Sequence, residues 1–304
     1  MAMRGSTRQW RRANRTAELF GPGTAVVVLG LVSALAWGAG DFGGGLLGRR
    51  APVVGIVLLT QLTGLVAALA FAAARGEPVP AGTDLGWSVA AGLFGVMGIT
   101  SLYHGLAVGR MGVVAPTTGL LAALIPVAAG FVLEGIPDRL VIVGIAVALV
   151  AVVLVTRAPD GGTGRPSGIA WALLAGAGFG LFNTSVGQLS GAGAFAPLVL
   201  IRLVQAIAIG AFIMTARQRW RLPRDMVPKA MIVGLFDMGG NAAFILATQA
   251  GALAIASVLS SLYPVVTVIL AIVILRERVN RSHVAGIALT AAAIVLIGVG
   301  SNAG

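Results

Sequence analysis

Ten runs of predominantly apolar residues follow one another along this chain, and the breaks between them are too short to hold a folded domain. One helical crossing of a bilayer needs about 20 such residues. No water is present in the hydrocarbon to satisfy an exposed N–H or C=O, so each run must close its backbone hydrogen bonds internally, as a helix does. The runs lie at 24–47, 52–74, 86–108, 112–133, 139–156, 168–190, 195–216, 228–250, 252–275 and 282–300. Composition agrees, with 58% hydrophobic and 10% charged residues and a mean hydropathy of +0.97, outside the range of an aqueous domain. The expected fold is an all-α integral membrane protein with ten transmembrane helices.

Other chemistries are excluded early. With two His and no Cys, the chain has no thiolate metal site, catalytic Cys or disulfide, and too few imidazoles for an ordinary zinc site. No GxxxxGK[ST] stretch is present, so ATP is not the expected energy source. Neither a cofactor nor a metal is expected. The net charge of +11 sits in short clusters beside apolar runs, which fits membrane lipid headgroups as partners and not nucleic acid. Five of the arginines fall in residues 1–22, read as a basic tail ahead of a retained first helix.

The Gly/Pro-rich break RAPDGGTGRPSG at 157–168 lies near the middle of the chain and reads as a linker, 157–167, between halves 23–156 and 168–304. Ala34-Leu35 and Gly38-Ala39-Gly40 recur as Ala172-Leu173 and Gly176-Ala177-Gly178, each displaced by 138 residues. EGIPDRL at Glu134 has a late counterpart in ERVNRSH at Glu277. Each half holds five spans. Because five is odd, the second half enters the membrane in the opposite sense, an inverted repeat whose binding site lies where the repeats meet.

Residues 249–297, QAGALAIASVLSSLYPVVTVILAIVILRERVNRSHVAGIALTAAAIVLI, with Pro264 in a small-residue helix that ends at Glu277, resemble the closing helix pair of the drug/metabolite transporter superfamily. Trp37-Gly38 and Ile201-Arg202-Leu203 are similar to further features of its EamA-type members, which have two five-helix repeats. The first half departs from the pattern: Leu121 stands where Pro264 is matched, and Pro126 lies nearer Glu134. The resemblance implies a plasma-membrane transporter, commonly an exporter of amino acids, other metabolites or drugs, with both termini in the cytoplasm.

Ionisable groups inside a span cost about 2.5–3.5 kcal/mol each on insertion scales, so they mark function. Four lie well inside: Asp41, His104, Arg202 and Asp237. At about 1.5 Å per residue, Asp41 and His104 sit roughly 9 and 6 Å from one membrane surface, and Arg202 and Asp237 roughly 21 and 14 Å from it. Two pairs follow on depth. An Asp beside a His in a wet cavity can exchange protons near neutral pH. Arg202 with Asp237 reads either as a structural ion pair or, with the Arg facing a cavity, as a two-pronged clamp for a carboxylate or phosphate. Gln61, Asn183, Gln188, Gln205, Asn241 and Gln249, with Trp37, Tyr103 and Tyr263, are the candidate polar and aromatic lining. The consecutive Gly43, Gly44 and Gly45 exceed what close helix contact needs and are candidates for a hinge, as Pro264 is for a kink.

Orientation is contested by charge. With the N-terminus inside, the inner segments carry Arg4, Arg8, Arg11, Arg12, Arg15, Arg75 and Arg139. The outer ones carry Arg49, Arg50, Arg110, Arg157, Arg165, Arg217, Arg219, Arg221, Arg224, Lys229, Arg276, Arg278 and Arg281, against the positive-inside rule. The tail and the resemblance favour the N-inside reading. Taken together, the expected function is secondary active transport of a small organic solute, with proton coupling through Asp41 or Asp237 an open route. The rivals are an intramembrane hydrolase built on an Asp41/Asp237 dyad and a non-transporting membrane scaffold or receptor.

Overall fold

A computed structural model describes residues 22–48, 50–108, 111–156, 168–190, 193–275 and 281–303, so the basic tail, the linker and Glu277 lie outside the described residues. The regular structure of the described residues is all helical, and no strand occurs among them. In order the helices are α1 (Pro22–Gly48), α2 (Val53–Arg75), α3 (Thr83–Val108), α4 (Met111–Leu133) and α5 (Arg139–Thr156). The second half contains α6 (Ile169–Gly187), α7 (Phe195–Thr215), α8 (Val227–Ala250), α9 (Leu253–Ser260), α10 (Tyr263–Leu275) and α11 (Arg281–Ala303). α9 and α10 are two pieces of one span, so the helices make ten crossings. Among the described residues, six helices are long and apolar enough to cross a membrane by length and composition alone.

The repeat is visible in which helices touch. α1 lies against α8, α9 and α10, while α6 lies against α3 and α4. The first helix of each half thus packs on the third and fourth spans of the other. α2 meets α7 and α5 meets α11, second on second and fifth on fifth. Such reciprocal pairing is what a pseudo-twofold between the halves produces.

Small residues set how close these helices come. In lipid there is no hydrophobic drive between helices, so backbone approach and van der Waals contact must hold them. A Cβ on Gly178 of α6 would lie 2.6 Å from the Gly98 nitrogen and 2.7 Å from its Cα, meaning two helix backbones touch there. Gly176 and Gly180 both face α4, at Leu121 and Ile125. Gly38 rests on α10 at Val266, and Thr267 Oγ1 donates to the Gly38 carbonyl at 3.1 Å. Gly45, by contrast, has nothing within 4 Å of such a Cβ. Gly178→Val is therefore expected to lower stability in detergent by about 1–3 kcal/mol, the usual cost of overpacking. Gly45→Ala should be neutral or stabilising by up to about 1 kcal/mol. Thermal unfolding of the two variants checks this, and an unchanged midpoint for Gly178→Val would refute the backbone contact.

Carboxylates of the first half satisfy orphan backbone donors of the second at one end of the bundle. Glu77 accepts from the Phe195 and Ala196 amides at 2.8 and 2.9 Å, at the start of α7. Glu134 accepts from the Leu253 amide at 2.9 Å, at the start of α9, and Asp84 takes both the amide and hydroxyl of Ser190. A helix N-terminus presents unpaired N–H groups and a positive dipole end, so Glu77 and Glu134 each meet both needs, while Asp84 ties down the turn after α6.

Candidate functional site

Helical spacing brings polar groups from both halves to one cavity in the bundle. α1 contributes Trp37 and Asp41, one turn apart; α8 likewise contributes Asp237 and Asn241, and α7 contributes Arg202 and Gln205. Gln61 enters from α2, Gly95 and Ile99 from α3, Ala122 from α4, and Phe179, Phe182 and Asn183 from α6. Ser261 and Tyr263 complete the wall at the break in the ninth span. The cavity encloses about 70 Å³.

Arg202 organises this space. Its side chain is 1% exposed, and Nη1 donates to both Gln61 Oε1 and Asp237 Oδ2, the latter at 2.5 Å. A buried guanidinium without an acid would carry a large desolvation cost, which Asp237 offsets across the α7–α8 interface. The other edge of the guanidinium is unpartnered: among the described residues Nε and Nη2 are buried without a hydrogen-bond partner, as is Gln205 Oε1. Gly64 on α2 makes room for the group. A Cβ there would stand 3.1 Å from Nε, 3.3 Å from Cζ and 3.4 Å from Cδ. Near-equal distances to three bonded atoms place that helix over the flat face of the guanidinium.

The aromatic wall is fixed by contacts of its own. The Trp37 ring lies 5.6 Å from that of Phe244 and meets Tyr263 edge-on at 6.3 Å, and a Cβ on Gly240 would strike the indole. Asn183 donates through Nδ2 to the Ala122 carbonyl at 3.3 Å, tying α6 to α4. Ser261 Oγ is bonded to the Val258 carbonyl at 2.8 Å.

Of the residues singled out in the sequence, Trp37, Asp41, Gln61, Asn183, Arg202, Asp237, Asn241 and Tyr263 line the cavity, together with Gln205. Arg202 and Asp237 meet as an ion pair. Asp41 and His104 are not brought together. His104 is exposed near the end of α3, its ring 4.3 Å from that of Trp171, a contact suited to residues that share the membrane–water boundary. The Tyr103 side chain lies outside those described. Gln249 is exposed and donates to the Gly193 carbonyl, and Gln188 follows the end of α6. Neither Gln188 nor Gln249 is among the lining residues.

The glycines at 43–45 stand within an unbroken α1, whereas the ninth span is interrupted at Ser261–Leu262, directly before Tyr263-Pro264. Proline lacks the N–H that would bond the carbonyl four residues back, so the Ser260 carbonyl is released from the helix ladder at that point. Its counterpart α4, with Leu121 at the matching place, is continuous.

Sequence reasoning missed Phe182, Ser261 and the apolar wall of Gly95, Ile99 and Ala122. Phe179 could have been found. It is the repeat counterpart of Asp41 at the 138-residue displacement, and the two face the same cavity from opposite halves. Ser261 carried a signal too, three residues ahead of Pro264, where a proline frees the backbone.

Comparison with known proteins gives one family. The model of the EamA-like transporter family matches residues 24–157 and again 166–299. No curated protein matches the chain. A solved structure described only as a crystal structure of a protein superposes with a TM-score of 0.73 at 17% identity, over 90% of this chain and 96% of that one. At that identity the likeness concerns the fold alone.

Proposed function

The chain belongs to the EamA-like transporter family, and from that premise we propose that it is a secondary active transporter moving a small organic solute across the plasma membrane by alternating access. One observation carries this reading: a cavity within the bundle, walled by both halves, combines apolar surface with two carboxylates and an arginine. Polar groups at membrane depth are costly and repay that cost where they meet a solute or an ion. Drug-sized pockets run to about 300–1,000 Å³, so a cavity of about 70 Å³ suits an amino acid or similar metabolite. A larger drug requires the helices to part. Export is the direction the resemblance implies, and the arginine-rich tail favours both termini in the cytoplasm.

Asp41 is the coupling residue in this reading. Among the described residues no hydrogen bond or ion pair engages it, while Asp237 is held by Arg202. A carboxyl with no protein partner among the described residues, facing a cavity, can carry a proton from one side of the membrane to the other. The same asymmetry disfavours an acid–acid hydrolytic dyad, which needs two carboxylates sharing a proton.

The test is flux in proteoliposomes loaded with a panel of small metabolites, with and without an imposed pH gradient. A gradient-dependent rate for at least one solute is expected. Equal rates with and without the gradient would remove coupling and leave facilitated transport; binding without any flux would overturn the transporter reading.

A further inference from the structure

We propose that the free Nε–Nη2 edge of Arg202 is a carboxylate-binding subsite, so that the solute is a small monocarboxylate. This rests on the transporter reading for its consequence, not for its geometry. Three facts fix the chemistry. The guanidinium lines the cavity, is almost fully buried, and has one edge spent: Nη1 is taken by Asp237 and Gln61. Its two remaining donor nitrogens are buried without partners among the described residues, and α2 packs on the face of the group at Gly64, where its in-plane N–H donors do not point. Parallel N–H donors on one edge of a guanidinium match the two oxygens of a carboxylate, a fit that an ammonium cannot reproduce.

Charge narrows the class further. Asp41 and Asp237 line the same small space, so the cavity holds two carboxyl groups against one guanidinium. A doubly charged phosphate monoester would bring two more negative charges beside them, whereas a carboxylate brings one. Size points the same way, since about 70 Å³ leaves little room beyond a few heavy atoms. The unpaired Gln205 Oε1, three residues along the same helix face, is an acceptor and suits a donor group on the solute.

Four probes matched in size separate the possibilities: propionate, propionamide, propylammonium and methyl phosphate. Binding to the full-length protein in detergent is measured by saturation-transfer NMR, and flux by uptake into proteoliposomes. Propionate is expected to bind at least tenfold more tightly than propionamide or methyl phosphate, with propylammonium weaker still. Arg202→Lys, which keeps the charge and loses the two-pronged edge, should weaken propionate at least tenfold. If that variant fails to fold, Gly64→Ala serves instead. Its methyl presses on the guanidinium face with the charge and both Nη1 partners retained, and propionate should weaken several-fold. Equal binding of the amide, tighter binding of methyl phosphate, no binding of any probe, or propionate binding unchanged in the folded variants would each overturn the subsite. Flux of the amide or ammonium through a protein that ignores propionate would do so while leaving the transporter reading standing. Propionate bound without flux would support the subsite and overturn that reading.

Discussion

Asp237→Asn is expected to cost about 3–5 kcal/mol of stability, the range found when one partner of a buried ion pair is removed. The loss comes mainly from what remains. Arg202 is 1% exposed, and with Asn at 237 its charge keeps only neutral amide oxygens as acceptors at Nη1 and no countercharge. Arg202→Gln should be milder, because Asp237 is one-third exposed toward the cavity and can be hydrated there. The double replacement Arg202→Met with Asp237→Leu removes both charges together and should recover most of the stability of the original protein, while abolishing carboxylate binding. Unfolding midpoints in detergent for the two single variants and the double one form a cycle whose coupling term should be several kcal/mol. Additive losses would show that the pair is not the unit described here. A double variant that regains stability without regaining binding separates a solute-binding role for this arginine from a purely structural one.

Asp41→Asn is expected to abolish the response of flux to a pH gradient while leaving exchange of solute for solute intact. With one proton moved per solute, a gradient of one pH unit supplies about 1.4 kcal/mol, enough to concentrate the solute about tenfold. The Asn variant should reach equal concentrations on both sides. The side chains differ by little in size, and no hydrogen bond or ion pair holds Asp41 among the described residues, so the fold should survive. Retention of the tenfold gradient by the Asn variant would move coupling to another group.

Much of this architecture was readable in the residues because the bilayer permits few solutions. Nine of the ten runs became single helices whose ends shift by no more than a few positions, since an apolar stretch bounded by Arg, Pro or Gly has nowhere else to stop. Arg202 and Asp237 could be matched on depth because helical rise is constant and both charges demanded a partner. Depth alone failed for Asp41 and His104. It fixes height above the membrane plane but not the direction a side chain faces, and His104 points outward to Trp171. Apolar wall residues such as Ile99 and Ala122 carried no signal, being indistinguishable in composition from those that face lipid. The glycine run is helical here, since a weak helix former inside a supported bundle can stay helical, whereas a proline removes a hydrogen bond wherever it stands.

The interrupted ninth span divides into parts with unequal burial. All eight residues of α9 are buried, and its first amide is held by Glu134. α10 turns Ile269, Val273 and Ile274 outward to lipid and is fastened to α1 through Thr267 and Gly38. The break between the two pieces, at Ser261–Leu262, falls where Ser261 and Tyr263 face the cavity. Because Trp37 and Asp41 ride on the helix to which α10 is fastened, a movement of α10 about that break would shift the cavity wall and Asp41 in a single stroke. Solute access and proton access would then share one mechanical coordinate, with no separate signal needed between them.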